Sequence, residues 1–175
     1  MKFRTFFAVI VICFFAIGCK SKIAMDYNDM IVQKQKSLGT DMDAAEPKLK
    51  NYFASFEYDS IVSVSNRMEA KIDSIIQDIK NKPAPKVKQG DNFKKAALNY
   101  FDYMKSIYTS YKNYASETTP EGHQIGQKII SMVTNEEDSM IASMQKAQRI
   151  FARDNGFKIK SAKQNGSLTA NPPNQ

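Results

Sequence analysis

The sequence DNFKKAALNYFDYMKSIYTSYKNYAS, residues 91–116, decides the fold. Apolar and aromatic side chains recur in it at alternating steps of four and three residues: Phe93, Ala97, Tyr100, Met104, Ile107, Tyr111 and Tyr114. This spacing predicts a helix with a continuous buried seam, packed at the angles of a helical bundle. Because Phe101 and Tyr108 widen the apolar face, we expect this helix to contact two neighbours. Asp91 is the expected N-cap.

The preceding segment carries a second apolar stripe: Ile61, Val64, Met68, Ile72, Ile75 and Ile79. Steps of three and four residues, with charged residues between them, predict a one-sided amphipathic helix. Residues 52–64 also contain β-branched and aromatic residues, but a strand there would have no partner strand, so we favour a helix. Pro83, Pro85 and Gly90 predict a connection over residues 81–90.

The first helix is expected from about Asp26, with apolar positions that share one face: Ile31, Leu38, Met42 and Ala45. Pro47 lacks a backbone donor, so the helix should end or bend near Ala45 or Glu46.

A fourth helix follows a capping box at residues 118–121, with Pro120 in the first turn. Its apolar positions are Ile125, Ile129, Val133, Met140, Met144, Ala147 and Phe151. Thr134 and Glu137 fit a second capping box, so a break near Asn135 into two helices is the alternative. Asn155-Gly156-Phe157 predicts a Schellman motif at the end.

These elements predict an all-α fold, an antiparallel four-helix bundle, or five helices if the fourth one breaks. The bundle domain should span residues 26–159. We expect residues 19–25 to form a tether and the polar residues 160–175 to form a disordered tail.

The N-terminus has the pattern of a bacterial lipoprotein signal peptide over residues 1–18. Lys2 and Arg4 precede an uncharged apolar run at residues 6–17, whose twelve residues are fewer than the roughly 20 that span a bilayer. The run ends in a lipobox, Ala16-Ile17-Gly18-Cys19. Small residues before a cysteine allow a peptidase to cleave there, and the Cys19 thiol would accept the lipid. Cys13 would be discarded.

Charge and cysteine content limit the function. The chain has a formal net charge of +7, which falls to +5 once the signal peptide with its two basic residues is removed. This charge is too modest for a nucleic-acid binder, so no nucleic-acid partner is expected. With Cys13 cleaved away and Cys19 acylated, the mature domain would contain no disulfide and no free thiol.

Catalytic and metal-binding patterns are missing from the sequence. The one histidine, His123, stands two residues after Glu121 and so does not match the Glu-x-x-His pairs of di-iron bundles; we expect it to be exposed near a helix start. Glu136, Glu137 and Asp138 are consecutive and fan around a helix, which favours a solvated face or acidic charges at a helix N-terminus. No catalytic residue, metal or cofactor is predicted, and the protein is not expected to be an enzyme.

Tyrosines and lysines alternate along residues 94–114, a composition that can bind sugars or single-stranded nucleic acid. The regular seam favours core packing for the tyrosines instead. Tyr103 and Lys112 fall off the main seam and are the candidate ligand residues. Met140 and Met144 could line a partner groove, although core packing is favoured for them as well.

Two stretches resemble an uncharacterised family of bacterial surface lipoproteins, typified by a spirochaete surface protein. They are Tyr27-Asn28-Asp29-Met30-Ile31-Val32 and Gly90-Asp91-Asn92-Phe93-Lys94-Lys95-Ala96-Ala97, the latter followed by Phe101 and Tyr103. The resemblance covers residues 26–157 and implies a helical, lipid-anchored envelope protein. It implies no activity, cofactor or catalytic residue.

The sequence therefore predicts an outer-membrane lipoprotein of the cell envelope that serves as a non-enzymatic interaction or structural module. Its partners would be the membrane, through Cys19, and an envelope protein or glycan. The alternative is a small-ligand or carbohydrate-binding lipoprotein that uses the tyrosine-rich helix. Lys20-Ser21-Lys22 stands where some surface-exported lipoproteins carry an acidic tract, which favours the periplasmic face.

Overall fold

The computed structural model describes residues 3–159, with side chains described from Lys20 onward, and it is an all-α bundle. Over this part of the chain the regular elements are five helices: α1 Phe3–Ser55, α2 Tyr58–Asn81, α3 Gly90–Ser116, α4 Pro120–Asn135 and α5 Glu137–Asp154. The predicted fold class is confirmed, in its five-helix form.

Ion pairs between α1 and α2 show that the two helices run antiparallel. Lys34 Nζ lies 2.7 Å from Asp78 Oδ2, and Lys71 contacts Asp41. Residue numbers therefore rise along α1 as they fall along the facing side of α2. The same relation holds between α2 and α3, where Asp73 pairs with Lys105 and Glu69 with Lys112.

Helices α4 and α5 run back along α3. Tyr103 bonds to Val133, while Tyr114 lies against Gly126, so α3 and α4 are antiparallel. Phe93, near the start of α3, stacks on Phe151, near the end of α5, with ring centroids 4.6 Å apart. The bundle thus has the up-down-up-down order, with α4 and α5 together forming the fourth rod.

Helix α3 is the centre of the domain, as predicted, and it packs against α2, α4 and α5 rather than two neighbours. It also contacts α1 through aromatic pairs, including Phe53 and Tyr111 with centroids 5.3 Å apart. Because α3 is enclosed on several sides, its buried face is wider than one seam. Phe101 and Tyr108 are fully buried, whereas Tyr100, predicted on the seam, is half-buried.

The prediction that α1 ends near Ala45 or Glu46 is wrong, because the helix continues through Pro47 to Ser55. Pro47 removes the donor for the carbonyl of Asp43. Both residues are exposed, so water can hydrate that carbonyl. Meanwhile Ala45 and Leu49 are buried on the opposite side, and this packing holds the helix together across the proline.

The boundaries of α1 differ from the prediction at both ends. Residues 20–25 are helical rather than a tether, and Ala24 is already fully buried in the core. At the other end Phe56 adopts a left-handed conformation, with φ of 57°. The amide of Glu57 then donates to the carbonyl of Tyr52 over 2.9 Å, which closes a Schellman motif.

Helix α2 confirms the helical interpretation of residues 52–64, which are divided between α1 and α2. Its buried face follows the predicted stripe with one change: Ile76 is 3 % exposed, while the predicted Ile75 is only partly buried. A period of 3.6 residues turns the face gradually, so Ile72 is followed four residues later by Ile76.

Helix α3 begins two residues earlier than predicted, and Asp91 lies in its first turn instead of capping it. Gln89 is the N-cap residue, in a left-handed conformation with φ of 60°. A Cβ atom at Gly90 would come within 2.1 Å of the carbonyl oxygen of Pro85, so the connection requires glycine at the helix start.

Helix α4 is capped by Thr119, one residue after the predicted Thr118. Its side chain accepts a 3.0 Å bond from the amide of Gly122, and Pro120 occupies the first turn as predicted. The helix ends at Asn135, which confirms the break, but Thr134 does not cap α5. The Thr134 hydroxyl donates to the carbonyl of Ile130 instead.

The Schellman motif after α5 is confirmed. Gly156 has φ of +71°, and the amide of Phe157 donates to the carbonyl of Ala152 over 3.1 Å. Phe157 folds back with its ring centroid 5.9 Å from that of Phe151. The predicted tail, residues 160–175, lies outside the described residues.

Candidate functional site: the anchor segment and the α3–α4 surface

The predicted lipobox lies in the first part of α1. The side chains of Ala16, Ile17, Gly18 and Cys19 lie outside the described residues. The helix itself runs from Phe3 past these positions to Ser55 without interruption. Within the described residues, no helix combines the length and the hydropathy that crossing a membrane requires.

Tyr103, the first candidate ligand residue, is buried rather than displayed on the surface. It is 7 % exposed, and its hydroxyl donates a 2.8 Å hydrogen bond to the main-chain carbonyl of Val133. Helix α4 covers the position because α3 has neighbours on more sides than the sequence indicated. The prediction that Tyr103 falls off the packed face is therefore wrong.

Lys112, the second candidate, is engaged with α2. Its ammonium group pairs with the carboxylate of Glu69, which is 8 % exposed and also accepts a hydrogen bond from the hydroxyl of Thr109. The side chain of Lys112 keeps 29 % of its surface exposed. The arrangement compensates the buried charge of Glu69, and a ligand role for Lys112 stays a prediction.

The tyrosines of α3 pack in the core, which was predicted for Tyr108, Tyr111 and Tyr114 and not for Tyr103. Tyr103, Tyr108, Tyr111 and Tyr114 are each at most 7 % exposed. Burial raises the pKa of Tyr100 to about 12, with a further contribution from the nearby Glu137 carboxylate. Burial likewise raises the pKa of Tyr108 and Tyr111 well above the ordinary value. These phenols are core groups, neutral over the whole physiological range.

His123 is at the start of α4 as predicted, but it is half-buried instead of exposed. Its Nε2 donates to the carbonyl of Glu117 over 2.8 Å, and its Nδ1 shares a 3.2 Å hydrogen bond with the Tyr58 hydroxyl. Its ring also lies 4.9 Å from that of Tyr114. His123 thus joins α2, α3 and α4 at one end of the bundle.

The acidic run at residues 136–138 divides at the helix break. Glu136 and Asp138 are exposed as predicted, whereas Glu137, the first residue of α5, is 8 % exposed. Glu137 and Glu46 line a cavity of about 20 Å³, roughly the space of one water, together with Tyr108 and Tyr111. Burial, with the neighbouring Asp43, raises the pKa of Glu46. This pair could not be predicted from the sequence, because the two residues are far apart along the chain.

Metal-binding geometry is missing from the described part of the chain, where no group of three or more His, Cys, Asp or Glu side chains could hold an ion. Met144 is buried and Met140 is partly buried against the core, so core packing is confirmed for this pair.

Helix α4 carries an unpredicted exposed apolar stripe, which we call the α4 stripe: Ile125, Ile129 and Met132. Their exposed fractions are 58 %, 46 % and 67 %. Steps of four and three residues place all three on one helix face. Ile125 and Ile129 were predicted on the packed face of the helix, but Gly126 and Ile130 are the buried residues of α4.

The α4 stripe borders a shallow groove of about 330 Å³ between α3 and α4. One wall is apolar, formed by Ile129 and Val133. The other wall is polar and belongs to α3: Asp102, Lys105, Ser106, Thr109, Ser110 and Asn113. Lys105 is held by Asp73, with Nζ 2.7 Å from Oδ1, so part of the polar wall is fixed in place.

No protein-family model, curated protein or solved structure matches the chain significantly. Membership of the lipoprotein family that its residues resemble therefore stays a prediction. The fold and the surface just described are the basis for a functional proposal.

Proposed function

We propose that the chain is a lipid-anchored cell-envelope protein that acts as a non-enzymatic interaction module. The observation that carries the proposal is the lipobox Ala16-Ile17-Gly18-Cys19 after a short apolar run. Two acyl chains on Cys19 would anchor the protein durably, since each buried methylene contributes about 0.8 kcal/mol. Ala24, the first described core residue, follows Cys19 by only five positions, so the bundle would lie close to the membrane.

The α4 stripe and its groove support an interaction role, and we propose an amphipathic helix of an envelope protein as the partner. Such a helix could place apolar side chains on Ile125, Ile129 and Met132 while its polar side chains meet the polar wall of α3. One wall of the groove is apolar and the other is polar, which matches the two faces of an amphipathic helix. An apolar stripe bordered by polar residues is typical of a protein interaction site.

The carbohydrate-binding alternative receives less support, because sugars stack on exposed aromatic rings and the tyrosines of α3 are largely buried. Lys112 could still contribute one polar contact. A thermal-shift screen against glycans and metals tests this alternative. A ligand-dependent rise in melting temperature that Lys112→Gln removes would favour it over the interaction module.

Acylation can be tested in cells with an alkyne-labelled fatty acid. We expect the protein to incorporate label and to fractionate with the outer membrane. Cys19→Ala should abolish incorporation, whereas the matched variant Cys13→Ala should keep it, because Cys13 lies in the segment that is cleaved away. An unlabelled wild-type protein in the soluble fraction would contradict the proposal.

The membrane face can be tested by protease treatment of intact cells. Lys20-Ser21-Lys22 favours the periplasmic face of an outer membrane, so the protein should resist digestion until the outer membrane is disrupted. Digestion in intact cells would place it on the surface instead and overturn this part of the proposal.

The partner surface can be tested by placing a photo-crosslinking amino acid at Ile129 or, as a control, at the exposed Arg67 of α2. We expect one discrete heterologous adduct from Ile129, which Met132→Glu removes, and none from Arg67. Adducts of twice the chain mass would indicate self-association instead. Equal crosslinking from both positions would contradict a specific surface.

A further inference from the structure

The two ends of the bundle differ sharply in charge. The end where α1 leaves Cys19 comprises residues 20–26, 83–91 and 153–159. Six exposed basic residues occur there: Lys20, Lys22, Lys86, Lys88, Arg153 and Lys158. The acidic residues of this end are Asp26, Asp91 and Asp154, and Arg153 is paired with Asp154 over 2.8 Å. We call this surface the basic end.

Contacts within the core and the loops bring these three segments together. Tyr27 of α1 packs against Phe93 of α3 with centroids 6.2 Å apart, and Phe93 stacks on Phe151 of α5. In addition, Asn155 donates a 2.9 Å hydrogen bond to the carbonyl of Lys88. The connection before α3 and the end of α5 therefore flank the part of α1 around Tyr27.

The opposite end comprises residues 51–61 and 113–125 and has the reverse charge. Glu57, Asp59, Glu117 and Glu121 occur there, and neither segment contains a lysine or an arginine. Tyr58 and His123 join the two segments, with ring centroids 4.8 Å apart. Because α1 is continuous between the ends, with a rise of about 1.5 Å per residue, roughly 50 Å separate them.

We propose that the basic end is a docking surface for anionic phospholipid headgroups and holds the bundle upright on the membrane. Each basic side chain near an anionic surface is attracted to it, while the acidic end is repelled. Ile23 and Met25, which are 46 % and 41 % exposed beside Lys20 and Lys22, suit the boundary between headgroups and acyl chains. The upright orientation rests on the proposed anchoring at Cys19; the lipid preference of the basic end does not.

The orientation can be measured because the sequence contains no tryptophan, so an introduced one is a unique probe. The full chain would carry Ala84→Trp at the basic end or Thr118→Trp at the acidic end. Energy transfer to a headgroup-labelled lipid is then compared in phosphatidylcholine vesicles with and without phosphatidylglycerol. We expect phosphatidylglycerol to raise transfer from position 84 and to lower transfer from position 118, both effects being lost at high salt.

A matched pair of triple variants completes the test. Replacing Lys86, Lys88 and Lys158 with glutamine should abolish the effect of phosphatidylglycerol. Replacing Lys48, Lys50 and Arg67, which are exposed along α1 and α2, should leave it nearly unchanged. Equal transfer in both kinds of vesicle, or equal effects of the two triples, would overturn the proposal.

The mass of the purified protein shows whether Cys19 carries a lipid, and so separates a failure of the anchor from a failure of the basic end. If Cys19 carries no lipid, the proposed function fails, and the basic end is tested by co-sedimentation of the full chain with the same vesicles. Binding should then be tighter with phosphatidylglycerol and weaker by on the order of 100-fold in the first triple variant, about fivefold for each residue. Binding that ignores phosphatidylglycerol would overturn the lipid preference as well.

Discussion

The hydroxyl of Tyr103 donates a 2.8 Å hydrogen bond to the main-chain carbonyl of Val133, close to the point where α4 gives way to α5. The same carbonyl accepts a 3.2 Å bond from the amide of Glu136 in the break itself. Helix α3 thus supports the end of α4 directly. A residue that the sequence suggested as a ligand contact is instead a structural link.

Tyr103→Phe should lower the free energy of unfolding by about 1 kcal/mol, because it removes this hydrogen bond and keeps the ring. Denaturant unfolding followed by circular dichroism measures the change. A variant as stable as the wild type would show that the bond contributes nothing. Tyr103→Ala would also remove a core ring, so loss of binding in that variant would not identify a ligand contact.

Tyr27→Phe should have the opposite effect. The Tyr27 hydroxyl is buried and has no hydrogen-bond partner among the described residues. Since a buried unsatisfied hydroxyl is unfavourable, its removal should raise the free energy of unfolding by about 1 kcal/mol. Tyr103→Phe is the natural control, because the chemical change is the same. Equal destabilisation by both substitutions would contradict the difference in hydrogen bonding.

Two helical glycines should respond oppositely to alanine. Nothing lies within 4 Å of a Cβ atom at Gly39, so Gly39→Ala should stabilise α1 by roughly 0.5–1 kcal/mol. A Cβ at Gly126 would come within 3.1 to 3.2 Å of Tyr114, including its Cα atom. Gly126→Ala should therefore force α4 away from α3 and destabilise the protein by about 1 kcal/mol or more. Thermal unfolding of both variants gives the two signs, and stabilisation at Gly126 would argue against the close approach.

The buried tyrosines should make the fold sensitive to alkaline pH. Burial raises the pKa of Tyr100 and, with a contribution from Asp91, that of Tyr27 to about 12, from an ordinary value of 10.0. The unfolded chain therefore releases these protons first. Stability is fully present below pH 10 and is lost as pH rises toward 12. Tyrosinate absorbance and helical circular dichroism should change together, whereas full ionisation near pH 10 with the helices intact would contradict the burial.

Periodicity predicted most of the fold because helix packing repeats along the chain. Phe93, Ala97 and Phe151 could be assigned to the core from spacing alone, and glycine at position 156 marked the Schellman motif. Pro47 misled the prediction, since the sequence does not reveal that Asp43 is exposed while Leu49, after the proline, is buried in the core. Local helix propensity does not include the stabilisation from tertiary packing, which here exceeds the cost of one lost hydrogen bond.

The candidate surface was harder to predict than the fold. Tyr103 is buried because α4 packs over it. That contact depends on the number of helices that pack against α3, which the sequence does not show. Ile129 fits a helical seam as well as Ile130 does, so spacing did not distinguish a core residue from an exposed one. The charge difference between the two ends likewise could not be predicted, because it depends on the antiparallel packing that brings distant segments together. The contact between Asn155 and Lys88 is one example.

We propose above all that Cys19 anchors the bundle to a membrane, and intact mass spectrometry of the purified protein can test this. We expect a chain that begins at Cys19 and carries the added mass of a diacylglyceryl group, with or without a further acyl chain. A chain that retains residues 1–18, or that begins at Cys19 without added lipid, would contradict it.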